Sequence, residues 1–126
     1  MITTSHSAPY EATSDESRIG LVDSWVASDN VDYLSPQLYT TGGEGAEFAA
    51  STGILGEVGY EHYLNAKKAK FVPSIVAETQ VDEVREYFAE KGLIVDGFIQ
   101  WQQYALPGAR ILPCCSAQFT TPNVWP

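Results

Sequence analysis

With 126 residues, an apolar share of 44% and three Trp, seven Tyr and five Phe, the chain has the size and composition of one compact domain able to bury a core. A net charge of −9, with its few cations lying mainly in Lys67-Lys68-Ala69-Lys70, argues against attraction to a phosphate backbone and so against nucleic-acid binding, whereas a neutral polysaccharide is compatible with it. Apolar runs extend over only a few residues, against the roughly 20 that a spanning helix requires, which argues against a membrane.

Residues 1–15 carry no basic start and no sustained apolar core, unlike a signal peptide, and Met1 opens directly onto a strand-like run, as expected of a piece of a longer chain. That run, Ile2 to Ser7, predicts a first strand closed by Ala8-Pro9, where proline ends regular pairing. Ser14 or Asp15 then caps a helix to about Ala27, with Ile19, Val22 and Val26 on one face and Trp25 beside them. Asp29-Asn30 turns the chain into a second strand, Val31 to Tyr39, and Thr40-Thr41-Gly42-Gly43-Glu44-Gly45 reads as a loop, either functional or a plain connector.

Helical spacing of Tyr60, Tyr63 and Leu64 predicts a second helix from roughly Val58 to Lys68, with cations near its C-terminus as the helix dipole favours. Phe71 to Val76 reads as the third strand. Thr79 or Gln80 opens an amphipathic helix to Lys91, burying Val81, Val84, Tyr87 and Phe88 and ending at Gly92. Val95 to Trp101 is the last strand. Strands alternating with helices predict an α/β fold with a parallel βαβαβαβ sheet over residues 1–103.

Pro107, Gly108, Pro113, Pro122 and Pro126 punctuate an irregular tail over residues 104–126, in which Phe119 and Trp125 can bury against the domain or contact a partner. The tail holds both cysteines, Cys114 and Cys115. Adjacent Cα atoms about 3.8 Å apart are too close for an unstrained disulfide, and two thiols without a nearby His are too few to hold a metal. Neither His6 nor His62 has the neighbours of a metal site, and no cofactor motif is present.

Along the second strand, alternation sets Tyr33, Ser35, Gln37 and Tyr39 on one face and Asp32, Leu34, Pro36 and Leu38 on the other. If Leu34 and Leu38 face the helices, Gln37 and Tyr39 point to the open end of the sheet, where an amide and a phenol hold a sugar hydroxyl or simply satisfy a polar interior. On the last strand Gly97, Ile99 and Trp101 share a face, which makes Trp101 either a stacking floor for a sugar or a core residue. Glu44, Glu47 and Glu57 are read as solvated loop carboxylates in preference to ligand contacts, and Asp96 as a turn or strand-start residue.

Taken in order, Ser5-His-Ser-Ala-Pro9, Asp32-Tyr-Leu-Ser-Pro-Gln-Leu-Tyr39, Phe71 to Val76 and Gly97-Phe-Ile-Gln-Trp101 resemble strands five to eight of the family 18 glycoside hydrolases, the chitinase-like (β/α)8 TIM barrels. The resemblance implies half a barrel, a chitin-like glycan of N-acetylglucosamine as ligand, and an extracellular location. It also implies substrate-assisted hydrolysis, in which the acetamido oxygen is the nucleophile. By the same resemblance Tyr39 orients the acetamido group, Gln37 lines its subsite, Trp101 forms the floor, and Ser7 sits at the mouth of the fifth strand.

Two departures stand against catalysis by this chain alone. No Asp-x-x-Asp-x-Asp-x-Glu motif, which carries the family's general acid, occurs in it, and Thr40 follows Tyr39 where the family has Asn or Asp. A full barrel takes about 250 residues, so a half must be completed by the missing half or by a second copy in a homo-oligomer. The competing expectation is a structural or assembly protein that uses a barrel fragment for packing.

Overall fold

A computed structural model of the chain describes residues 1–9, 14–40, 45–52, 57–101 and 119–120. It is an α/β fold built on a parallel sheet. In chain order the elements are β1 (Ile2–Ser5), α1 (Asp15–Val26), β2 (Tyr33–Gln37), the short strands β3 (Ser51–Thr52) and β4 (Glu57–Val58), a 3-10 helix (Tyr60–Asn65), β5 (Lys70–Phe71), β6 (Ser74–Ile75), a 3-10 turn (Glu78–Gln80), α2 (Val81–Glu90), β7 (Phe98–Gln100) and β8 (Phe119–Thr120).

The main sheet runs β1-β2-β6-β7-β8, with β5 also on β2. The pairs from β1 to β7 are parallel, and β8 closes antiparallel on β7, adding a strand within the region expected to be irregular. β3 and β4 form a separate antiparallel hairpin. The parallel strands therefore lie side by side in their chain order, without the reversal that marks a doubly wound sheet.

Local chemistry accounts for the helix ends. The Ser14 side chain accepts from the Ser17 backbone N–H at 3.1 Å and caps α1. Gly92 ends α2 with φ of 78°, a left-handed conformation that a side chain would resist. Before α2, Gln80 is buried and its Oε1 accepts from the backbone N–H groups of Val76 (2.9 Å) and Ala77 (3.1 Å), satisfying two donors just past β6.

One face of the sheet makes the core. Leu34, Leu38, Phe71, Ile75 and Phe98 pack with Val22 and Val26 of α1 and Val84 and Phe88 of α2. Around Phe88 the rings of Tyr60, Phe71 and Tyr87 stand edge-on at 5.0, 4.8 and 5.1 Å, a geometry that adds to simple burial. Arg18 is also buried in α1, its Nε donating to the Pro9 carbonyl at 2.8 Å.

Besides β8 and the β3–β4 hairpin, which were not expected, and the shorter first and last strands, two predicted elements take another form. The second helix is a 3-10 segment in place of an α-helix over 58–68: Tyr60 and Tyr63, three apart, both enter the core, while Leu64 is exposed. Three-residue spacing eclipses side chains in a 3-10 turn and aligns those two rings. The third strand is split into β5 and β6 at Val72-Pro73, because proline offers no N–H to the ladder. Among the described residues no helix is long and apolar enough to cross a membrane.

Candidate functional site

Parallel α/β sheets place ligands at the carboxyl ends of their strands, since that is where loops of independent sequence converge. Here those ends carry His6 after β1, Tyr39 and Thr40 after β2, Val76 and Ala77 after β6, and Trp101 after β7.

Cross-strand partners face the same way, so the pairing fixes which side chains share the face opposite the core. Ser35 lies on this face of β2. Gln37 aligns with Ser74, and Ser74 with Ile99. Ser35 and Ser74 are buried and joined Oγ to Oγ at 2.8 Å, a hydroxyl pair that satisfies itself across the strands. Gln37 is half-buried at the end of this row, and its carbonyl accepts from the His6 N–H at 3.0 Å.

Tyr39 and Trp101 meet at the end of the same face. Their rings stack with centroids 5.2 Å apart and planes inclined by 25°. The Trp101 backbone N–H donates to the Ile75 carbonyl at 2.8 Å, and the N–H of Leu38, the residue before Tyr39, to the Ser74 carbonyl at 2.9 Å. Trp101 nevertheless keeps 41% of its surface exposed, unlike a core tryptophan. Burial pushes the Tyr39 phenol above its ordinary range, so it stays protonated at neutral pH and can both donate and accept.

Of the four residues expected to bind, the structure brings Tyr39 and Trp101 into contact and sets Gln37 on their face, but Ser7 lies elsewhere. Ser7 is fully buried; its hydroxyl donates to the Val58 carbonyl and its carbonyl accepts from the Tyr63 hydroxyl at 2.9 Å. The reason is local. β1 ends at Ser5, and His6 adopts φ of 49°, so the strand alternation that would carry Ser7 to the open end stops one residue earlier. A left-handed histidine is uncommon and costs on the order of 1–2 kcal/mol, a type of strain that collects at functional positions.

Two residues gain weight that their sequence context did not give them. His6 is buried, and its Nε2 lies 3.7 Å from Glu47 Oε2. The same carboxylate oxygen accepts from the Thr40 hydroxyl. Glu47, expected as a solvated loop carboxylate, does keep an exposed side but is also tied to these two residues; the only prior hint was that His6 and Thr40 each lie just past a strand. Asp96 does act at a strand start, its Oδ2 accepting from the Phe71 N–H at 3.2 Å. Glu44, Cys114 and Cys115 lie outside the described residues, as does all of the tail but Phe119–Thr120. Among the described residues no three His, Cys, Asp or Glu side chains gather as metal ligands. No family model, curated protein or solved structure matches the chain.

Proposed function

We propose that the chain is the C-terminal half of a chitinase-like family 18 barrel and forms one wall of a site for N-acetylglucosamine glycans. The observation that carries this reading is the Tyr39–Trp101 stack beside Gln37 at the carboxyl ends of the strands. A sugar ring has an apolar face that packs on an exposed indole, and its hydroxyl and acetamido groups need amide and phenol partners of the kind Gln37 and Tyr39 offer. The consecutive order of the parallel strands, with α1 and α2 packed on one side, supports a singly wound barrel segment.

Without a general acid the wall binds and orients; hydrolysis requires the strand that carries the acid. β1 is an edge of the sheet among the described strands, so a further strand can add there, from the other half or from a second copy. Calorimetric titration with N-acetylglucosamine oligomers tests the reading: saturable binding is expected, and no heat at millimolar oligomer would sink it.

A second reading, an assembly protein that uses this fold for packing, draws on Ile94 and Leu64, which are 80% and 52% exposed. Mass measurement in solution separates the two. A defined oligomer that ignores glycans favours assembly.

A further inference from the structure

We propose that Glu47 contacts the ligand beside Tyr39 and Trp101, its carboxylate accepting hydrogen bonds from hydroxyls of a bound sugar, and that His6 is the positioning residue behind it. This inference rests on the carbohydrate reading above and adds to it a residue that the family resemblance does not supply.

The segment bearing Glu47 is fixed from several directions. Its backbone N–H donates to the Leu38 carbonyl at 2.9 Å, returning the chain to the end of β2. The next ring, Phe48, stacks on Tyr87 of α2 at 4.0 Å and 19° and meets Phe88 edge-on at 6.2 Å. The Tyr87 hydroxyl also donates to the Phe48 carbonyl at 3.3 Å. A carboxylate on such a tether loses little freedom when it binds, which is the condition for a specific contact.

The side chain has an inner and an outer aspect. Inside, Oε2 takes the Thr40 hydroxyl and lies 3.7 Å from His6 Nε2, the histidine side chain being only 6% exposed. Outside, 36% of the Glu47 side chain remains open. Thr40 directly follows Tyr39, so the carboxylate is held to the residue next to the aromatic stack. Carboxylates accept from hydroxyls through charge-assisted hydrogen bonds, stronger than neutral ones, and vicinal sugar hydroxyls present such donors at fixed spacing. His6 is held in turn by its own N–H on the Gln37 carbonyl at 3.0 Å, so β1 supports a group that acts at the end of β2.

The test uses the full chain, the N-acetylglucosamine tetramer as probe, calorimetric affinity and a thermal melt. Glu47→Gln is expected to weaken binding about tenfold or more while the melt changes little, because the amide oxygen still accepts from Thr40. His6→Ala is expected to weaken binding as well, with recovery in His6→Gln, whose amide nitrogen reaches towards the place of Nε2. Wild-type affinity in Glu47→Gln and His6→Ala, with only the melting temperature lowered, would overturn the proposal and leave the three residues as a structural clasp. Failure of the wild-type chain to bind the tetramer is a separate outcome: it removes the carbohydrate reading, and this inference with it.

Discussion

The two ends of the parallel sheet use polar side chains in opposite ways. At the amino ends, Asp96 exchanges backbone and side-chain hydrogen bonds with Phe71, and Asp32 pairs with Lys68 at 2.9 Å across the entry to β2. These contacts join neighbouring segments of one chain. At the carboxyl ends, Glu47 keeps an exposed side, Trp101 keeps an exposed ring, and His6 sits in a left-handed conformation. One end joins strands through paired polar groups, while the other carries a left-handed histidine and an open aromatic ring, a strain and an apolar exposure that holding strands together does not require.

The contrast breaks if stability and binding do not separate by end. The largest effect is expected from Asp96→Ala, which removes the acceptor of the Phe71 N–H and should lower unfolding free energy by about 1–3 kcal/mol in denaturant titration. Glycan affinity should not change. Trp101→Ala should do the reverse: affinity for N-acetylglucosamine oligomers falls about tenfold, near 1.4 kcal/mol, with unfolding shifted by less than about 1 kcal/mol. If Trp101→Ala lowers unfolding free energy by several kcal/mol while the protein that remains folded keeps its affinity, the ring belongs to the core.

Much of the fold was legible because its cues are local. Val81, Val84 and Phe88 repeat at helical spacing and do line the buried face of α2, and Leu34 and Leu38 alternate into the core as a strand requires. The Tyr39–Trp101 pair was legible only through the order of two motifs far apart in the chain. Ser7 was set at the mouth of a fifth strand by resemblance alone, whereas β1 ends at Ser5 and His6 turns left-handed, a change that no local pattern in the sequence announces. The His6–Glu47 contact was out of reach for a different reason: it depends on Phe48 docking against Tyr87, a packing event between segments that no local pattern encodes. The break at Pro73, by contrast, is written in the residue itself.

The smallest expected effect sharpens the comparison at the amino end. The hydrogen bond and charge of Lys68 hold the Asp32 carboxyl below its ordinary range, and Asp32 raises the Lys68 ammonium in return. For Asp32 the folded state binds the proton less tightly than the unfolded state, so its contribution is present above the unfolded carboxylate pKa and is lost as pH falls through the lower folded value. For Lys68 the sign reverses: the contribution is present below the ordinary lysine pKa and is lost as pH rises through the raised one. Both groups are solvated, and salt screens such a pair. Asp32→Asn should therefore flatten stability slightly at the acid and alkaline limits, measurable as a reduced difference between low-salt melts at neutral and acid pH, with glycan affinity unchanged. A large loss of stability at neutral pH would mean that the pair does more than close the strand entry.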